Sequence, residues 1–167
     1  FFYKVHKKIG LDTKVGFLKD VKKKYDLVIL SHVFEHFTKL DQNVDYLYNI
    51  TNKYLYIEVP GHVKNLQRIQ NAHNYYFSMN TLNYFILNNK FRLIKMDYAR
   101  DNEFILAIYE KTKIKSNFIL DKKKEKKAIT LILRKYKIKL IVTKTVKLLM
   151  LEKIMRKIYN FFLKKRL

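Results

Sequence analysis

The chain has 167 residues, 36 Lys+Arg against 14 Asp+Glu, a formal charge of +22, and no cysteine. That length suffices for one domain with a core. The lack of cysteine excludes disulfides and cysteine-ligated zinc, and is compatible with a reducing cytoplasm. No run of about 18 apolar residues is free of charge, which argues against a transmembrane helix. Lys4, His6, Lys7 and Lys8 break any signal-peptide core. The charge is uneven: residues 1–110 carry 16 basic and 11 acidic side chains, residues 111–167 carry 20 and 3. Abundant Lys, Ile, Asn, Tyr and Phe also fit the codon bias of an AT-rich genome.

The first part alternates apolar runs with helical patterns, as α/β folds do. Lys14–Leu18 reads as a weak strand. Tyr25-Asp26-Leu27-Val28-Ile29-Leu30 reads as a strand buried on both faces of a parallel sheet. Asp41 is the expected cap of a helix with Val44, Leu47, Tyr48 and Thr51 on one side. Tyr54–Val59 is a second strand, stopped by Pro60-Gly61. Ser78 is the expected cap of a helix with Leu82, Phe85 and Ile86 inward, ended by Asn88-Asn89. Phe91–Tyr98 and Phe104–Tyr109 read as an antiparallel hairpin closing the sheet edge.

Charge balance shifts near Lys111–Asn117, giving an expected division into 1–112 and a basic tail, 113–167. Asp121–Lys127 is a solvated charge run. Ala128–Lys144 is ambiguous, with strand-like alternation at Tyr136–Leu140. From Lys144 the pattern sharpens into an amphipathic helix. Leu151, Ile154, Met155, Ile158, Phe161 and Phe162 share one side, and Lys153, Arg156, Lys157 and Lys164 the other. Three readings stay open for this tail: a helix docked on the catalytic domain, peripheral contact with an anionic membrane, or binding to nucleic-acid phosphates. The grouping of Tyr159, Phe161 and Phe162 with the apolar side argues against the last, which favours exposed stacking aromatics.

Three clusters carry the chemistry. Ser31-His32-Val33-Phe34-Glu35-His36 follows a buried strand, Ile57-Glu58-Val59-Pro60-Gly61 ends the next, and His73-Asn74-Tyr75-Tyr76-Phe77-Ser78 leads into a helix. Open α/β sheets bind ligands outside the carboxyl ends of their strands. His32-Val33-Phe34-Glu35-His36 also matches the H-x-x-E-H pattern of inverted zinc peptidases, which requires helical context. A strand running directly into the motif argues against it. The simplest alternative is a set of polar residues finishing a strand. Glu58 either faces the cleft or alternates outward.

In this order and spacing, the three clusters resemble class I S-adenosylmethionine-dependent methyltransferases. The resemblance is to a bacterial branch associated with surface-polysaccharide genes, and it covers roughly residues 10–110. It implies an α/β, Rossmann-like methyltransferase sheet with a late antiparallel hairpin, here truncated and followed by the basic helical tail. The glycine-rich loop of that family is absent, Gly10 and Gly16 being too isolated. Phe1 would fall after the second strand, so the chain is expected to be a C-terminal portion that binds cofactor poorly by itself. The family's Gly before the late strand is replaced by Lys90.

The resemblance implies methyl transfer from S-adenosylmethionine, with a hydroxyl of a sugar or other small acceptor in glycan assembly as the methyl acceptor. The protein would be cytoplasmic, or peripheral at the inner face of the membrane. His32, His36 or His73 would serve as base, and Asp20, Ser31 and His32 would contact the cofactor. Asp20 also reads as a solvated turn residue. RNA methylation and a non-catalytic fragment or membrane-surface module are the alternatives. A second resemblance is to small-RNA 2′-O-methyltransferases and ubiquinone-pathway O-methyltransferases, which hold a divalent ion with a Glu-x-x-Glu-His segment. It implies a possible cation on His32, Glu35, His36 and His73, of a kind suited to imidazole: zinc, iron or manganese. The metal-free alternative has one His as base and the others hydrogen-bonded.

Overall fold

The computed structural model describes residues 8–10, 12, 16–61, 72–100 and 102–164. The chain divides into two compact units, Phe1–Leu120 and Asp121–Leu167.

In the first unit a short 3-10 turn, Leu18–Asp20, precedes strand β1, Tyr25–Ser31. Lys14 and Val15 of the weak early strand lie outside the described residues, and Leu18 is in the turn. Another 3-10 turn, Phe34–His36, leads to helix α1, Leu40–Ile50. Strand β2, Thr51–Pro60, helix α2, Met79–Leu87, and strands β3, Phe91–Ala99, and β4, Phe104–Lys111, complete the unit. The sheet order is β1-β2-β4-β3. β1 and β2 are parallel, and β4 runs antiparallel to both β2 and β3, so the closing hairpin is as expected.

Strand alternation explains the core. Leu55, Ile57 and Val59 of β2 and Ile105, Ala107 and Tyr109 of β4 point to one face and are buried. α1 covers them with Leu40, Val44, Leu47 and Ile50, and α2 with Leu82 and Ile86. Residues three and four apart share a helix face, which is why these positions recur at that spacing. On the opposite face Leu27, Ile29, Tyr54, Tyr56, Ile94 and Ile108 line an apolar groove. The expectation that β1 is buried on both faces is therefore corrected: Leu27 and Ile29 are 50% and 60% exposed. An apolar run reports strand character, but whether a second layer covers it is a tertiary property.

Caps also differ in part. Ser78 caps α2 as expected, its Oγ accepting from Thr81 N at 3.0 Å. Asp41, however, lies in the first turn of α1, and Lys39 holds the cap position without a side-chain bond. After α2 it is Lys90, not an Asn, that turns through the left-handed region, at φ 62°. Asn88 instead ties down the segment beyond β4, exchanging two hydrogen bonds with the Phe118 backbone at 3.0 and 3.1 Å.

The second unit is one helix, α3, Lys122–Lys164. Asp121 Oδ1 caps it, accepting from Lys124 N at 2.9 Å. The segment 128–144, ambiguous by periodicity, is helical throughout. No Gly or Pro interrupts 122–164. Among the described residues no helix is long and apolar enough to cross a membrane.

Candidate active site

The site forms where β1 and β2 end side by side. Ser31 is in register with Glu58, and the Ser31 hydroxyl donates to Glu58 Oε2 at 3.0 Å. The chain then breaks from the sheet. His32 N still donates to Glu58 O at 3.0 Å, but His32 itself adopts φ 54°. A non-glycine residue there is strained by about 1–2 kcal/mol, and such residues concentrate at functional sites. The turn that follows is held from below by Phe34, which is fully buried and packs against Phe37 and Phe77 with ring centroids 5.5 and 5.3 Å away. With Phe34 anchored, Glu35 is carried inward to 0% exposure while His32 and His36 stay at the rim.

A second segment is strapped across this turn. Asn74 N and Tyr75 N both donate to Glu35 O, at 3.0 and 3.3 Å, and Asn74 Nδ2 donates to His36 O at 2.9 Å. The strap brings His73 to His36, ring centroids 4.9 Å apart and edge to face. His36 Nδ1 lies 2.7 Å from Ala72 O. A carbonyl only accepts, so Nδ1 carries the proton and the neutral ring presents its lone pair at Nε2. That Nε2 is 3.9 Å from Glu35 Oε1.

Glu35 is the centre of the arrangement. His32 Nδ1 is 3.5 Å from its Oε1, while His32 Nε2 is 3.7 Å from Glu58 Oε1. Both Glu35 oxygens and His73 Nδ1 are buried without a hydrogen-bond partner among the described residues. Burying an unpaired carboxylate is costly, and native structures seldom leave one so. Glu35, His36 and His73 each offer a donor atom within 4.8 Å of the others, which suits a cation. Phe104, opposite Pro60 at the start of β4, closes the rim by an edge contact with His32 at 4.9 Å.

The structure thus brings together Ser31, His32, Glu35, His36 and His73. Of the four expected metal ligands, His32 stands apart from the compact set and faces both carboxylates instead. Glu58 satisfies both readings, since it alternates away from the core and still reaches the cleft at its strand end. Asp20 is not in this cluster. Its carboxylate accepts from Phe17 N at 3.1 Å in its own turn, beside a separate hollow with Gly16 and Val21. The H-x-x-E-H segment spans a left-handed residue and a 3-10 turn, so the helix-borne peptidase geometry is absent. Asn74 and Phe104 escaped sequence reasoning. The only signal for Asn74 was its place directly after His73.

No family model matches the chain, and no curated protein matches it. Among solved structures it is similar to magnesium protoporphyrin IX methyltransferase from Synechocystis PCC 6803 with bound SAH. The two are 13% identical with a TM-score of 0.50, covering 65% of this chain and 57% of that one. It is also similar to an S-adenosylmethionine-dependent methyltransferase from Listeria monocytogenes, 13% identical with a TM-score of 0.50, covering 66% of this chain and 76% of that one. The chain spans little more than half the length of the first. At this identity the likeness establishes the fold, a Rossmann-like methyltransferase sheet with its late antiparallel hairpin.

Proposed function

We propose that this chain forms the acceptor side of an S-adenosylmethionine-dependent O-methyltransferase acting on a hydroxyl of a sugar or another small molecule in glycan assembly. One observation carries the reading. On a methyltransferase fold, a buried carboxylate is ringed by three histidines at the carboxyl ends of two parallel strands. The glycan assignment is supported by the sequence resemblance alone.

S-adenosylmethionine, when bound, supplies a methyl group on a positively charged sulfur. Ser31 and His32, at the sharp turn out of β1, would contact it, and Asp20, beside the separate hollow with Gly16 and Val21, is the further candidate contact. Transfer of that methyl to an acceptor oxygen would break the S–CH3 bond as the O–CH3 bond forms, and would require the hydroxyl proton to leave. His32 takes it at Nε2. At 3.7 Å that nitrogen makes no hydrogen bond to Glu58, and with the ring proton on Nδ1, toward Glu35, it would be available to the substrate. The imidazolium then has Glu35 near one ring nitrogen and Glu58 near the other. Positioning of the two reactants supplies much of the remaining rate.

A second reading is favoured by the unpartnered atoms of Glu35 and His73. Glu35, His36 and His73 would hold a divalent cation, with Ala72 O fixing the His36 tautomer as outer partners of ligating histidines do. A bound cation would make an acceptor hydroxyl more acidic.

The test uses the complete gene product. Transfer of labelled methyl from S-adenosylmethionine to a panel of free and nucleotide-linked sugars is measured for wild type, His32→Ala and His36→Ala. About a hundred-fold or greater loss in kcat for His32→Ala is expected, within the usual range for a general base. Unchanged kcat in His32→Ala would remove it as the base. No labelled product with any hydroxylated acceptor, despite tight cofactor binding, would overturn the acceptor class.

A further inference from the structure

We infer that α3 is a peripheral membrane helix that lies on an anionic lipid surface. Between 138 and 149 it carries Ile138, Ile141, Val142, Leu148 and Leu149, with Thr145 among them. These are the offsets 0, 3, 4, 7, 10 and 11 that share one side of an α-helix. The five apolar side chains are between 51% and 67% exposed. A stripe of that kind on a solvated helix is a binding surface in search of a partner.

Charge identifies the partner. Residues 122–164 carry 15 Lys+Arg against Glu125 and Glu152 alone. Lys139, Lys144 and Lys147 lie off the stripe, Lys135 and Lys153 border it, and all five are exposed. Each has a four-carbon stem that can run along the apolar boundary while its ammonium reaches the headgroups. A second copy of this helix would bring the same net charge of +13 against itself, which opposes self-association. Nucleic acid would satisfy the lysines but leave the isoleucines and leucines in water. A lipid surface, anionic at its headgroups and apolar beneath, uses both sets. Lysines at 139, 144 and 147 interrupt the segment too often for it to span a bilayer, in keeping with the lack of any membrane-crossing helix among the described residues.

Flotation of the 167-residue chain tests this, with phosphatidylcholine vesicles containing one-third phosphatidylglycerol against pure phosphatidylcholine. Binding to the anionic vesicles only, weakened by high salt, is expected. The quadruple variant Lys135→Gln, Lys139→Gln, Lys144→Gln, Lys147→Gln should bind several hundred-fold more weakly, at about five-fold per lysine. The triple variant Ile141→Gln, Leu148→Gln, Leu149→Gln keeps every charge and a good helix former at each site. It should lose about a hundred-fold. Far-UV circular dichroism confirms that both variants remain folded. Absence of binding to anionic vesicles overturns the inference. So does full binding by the triple variant, or tighter binding to single-stranded RNA than to vesicles. A stable dimer by light scattering that the triple variant dissociates overturns it in favour of a second copy.

Discussion

Glu35→Gln separates a stored electrostatic cost from an ordinary packing role. The carboxylate is fully buried and its oxygens accept no hydrogen bond among the described residues, the nearest groups being imidazoles at 3.5 and 3.9 Å. An effective penalty of several kcal/mol attends an unpaired buried ion. The amide of Gln fills nearly the same volume but leaves its own polar atoms unpaired, at about 1–3 kcal/mol. The difference favours the variant by about 1–2 kcal/mol in the presence of a chelator. For a unit of this size that is about 5–10 °C in Tm, read by circular dichroism or scanning calorimetry. A cation that binds only the folded wild type reverses the order. At a hundred-fold excess over Kd it adds about 2.7 kcal/mol, which Glu35→Gln forgoes. The reasoning is refuted if Glu35→Gln is less stable than wild type in chelator by more than about 1 kcal/mol, because the carboxylate would then already be satisfied.

Other outcomes follow from the same structure. Ser78→Ala removes the side chain that caps α2 and should cost about 1 kcal/mol in chemical denaturation, whereas Asp41→Ala, lacking any cap bond, should cost less. Burial holds the Tyr109 phenol well above its ordinary value of 10.0. The folded state then keeps a proton that the unfolded state releases, so stability should fall as pH rises above about 10, at up to about 1.4 kcal/mol per pH unit. Absorbance of phenolate should show one tyrosine titrating only with unfolding; a Tyr109→Phe variant that retains the same alkaline loss would refute the assignment. Lys90 sits at φ 62°, so Lys90→Val should cost about 1–2 kcal/mol while Lys90→Gly is tolerated, as measured by thermal melts.

The chain order of elements was legible in the residues because each strand and helix advertises its own period. β2, the β3–β4 hairpin and the Ser78 cap needed no tertiary information: alternation, Pro60-Gly61 and a serine before an apolar face are local signals. The clustering of Ser31, His32, Glu35 and His36 was legible in part, since they follow an apolar strand run whose carboxyl end faces the crevice of an open α/β sheet, whereas Asp20 lies elsewhere.

What the tertiary structure alone decided was burial and direction. Glu35 and His36 are adjacent in sequence, yet one is buried and the other exposed, because Phe34 anchors a 3-10 turn that rotates them apart. His73 joins them only through the Asn74 strap, a long-range set of backbone bonds that leaves no periodic trace. Leu27 and Ile29 look like core in one dimension and are exposed in three, since a strand's pattern cannot state how many layers pack on it. The long helix was likewise undecided over 128–144, where the strand-like alternation at Tyr136–Leu140 competes with a helical period. There the structure settles on helix, because one continuous helix from 122 to 164 carries the ambiguous window along with its flanks, and such cooperativity is not visible in a short window of sequence.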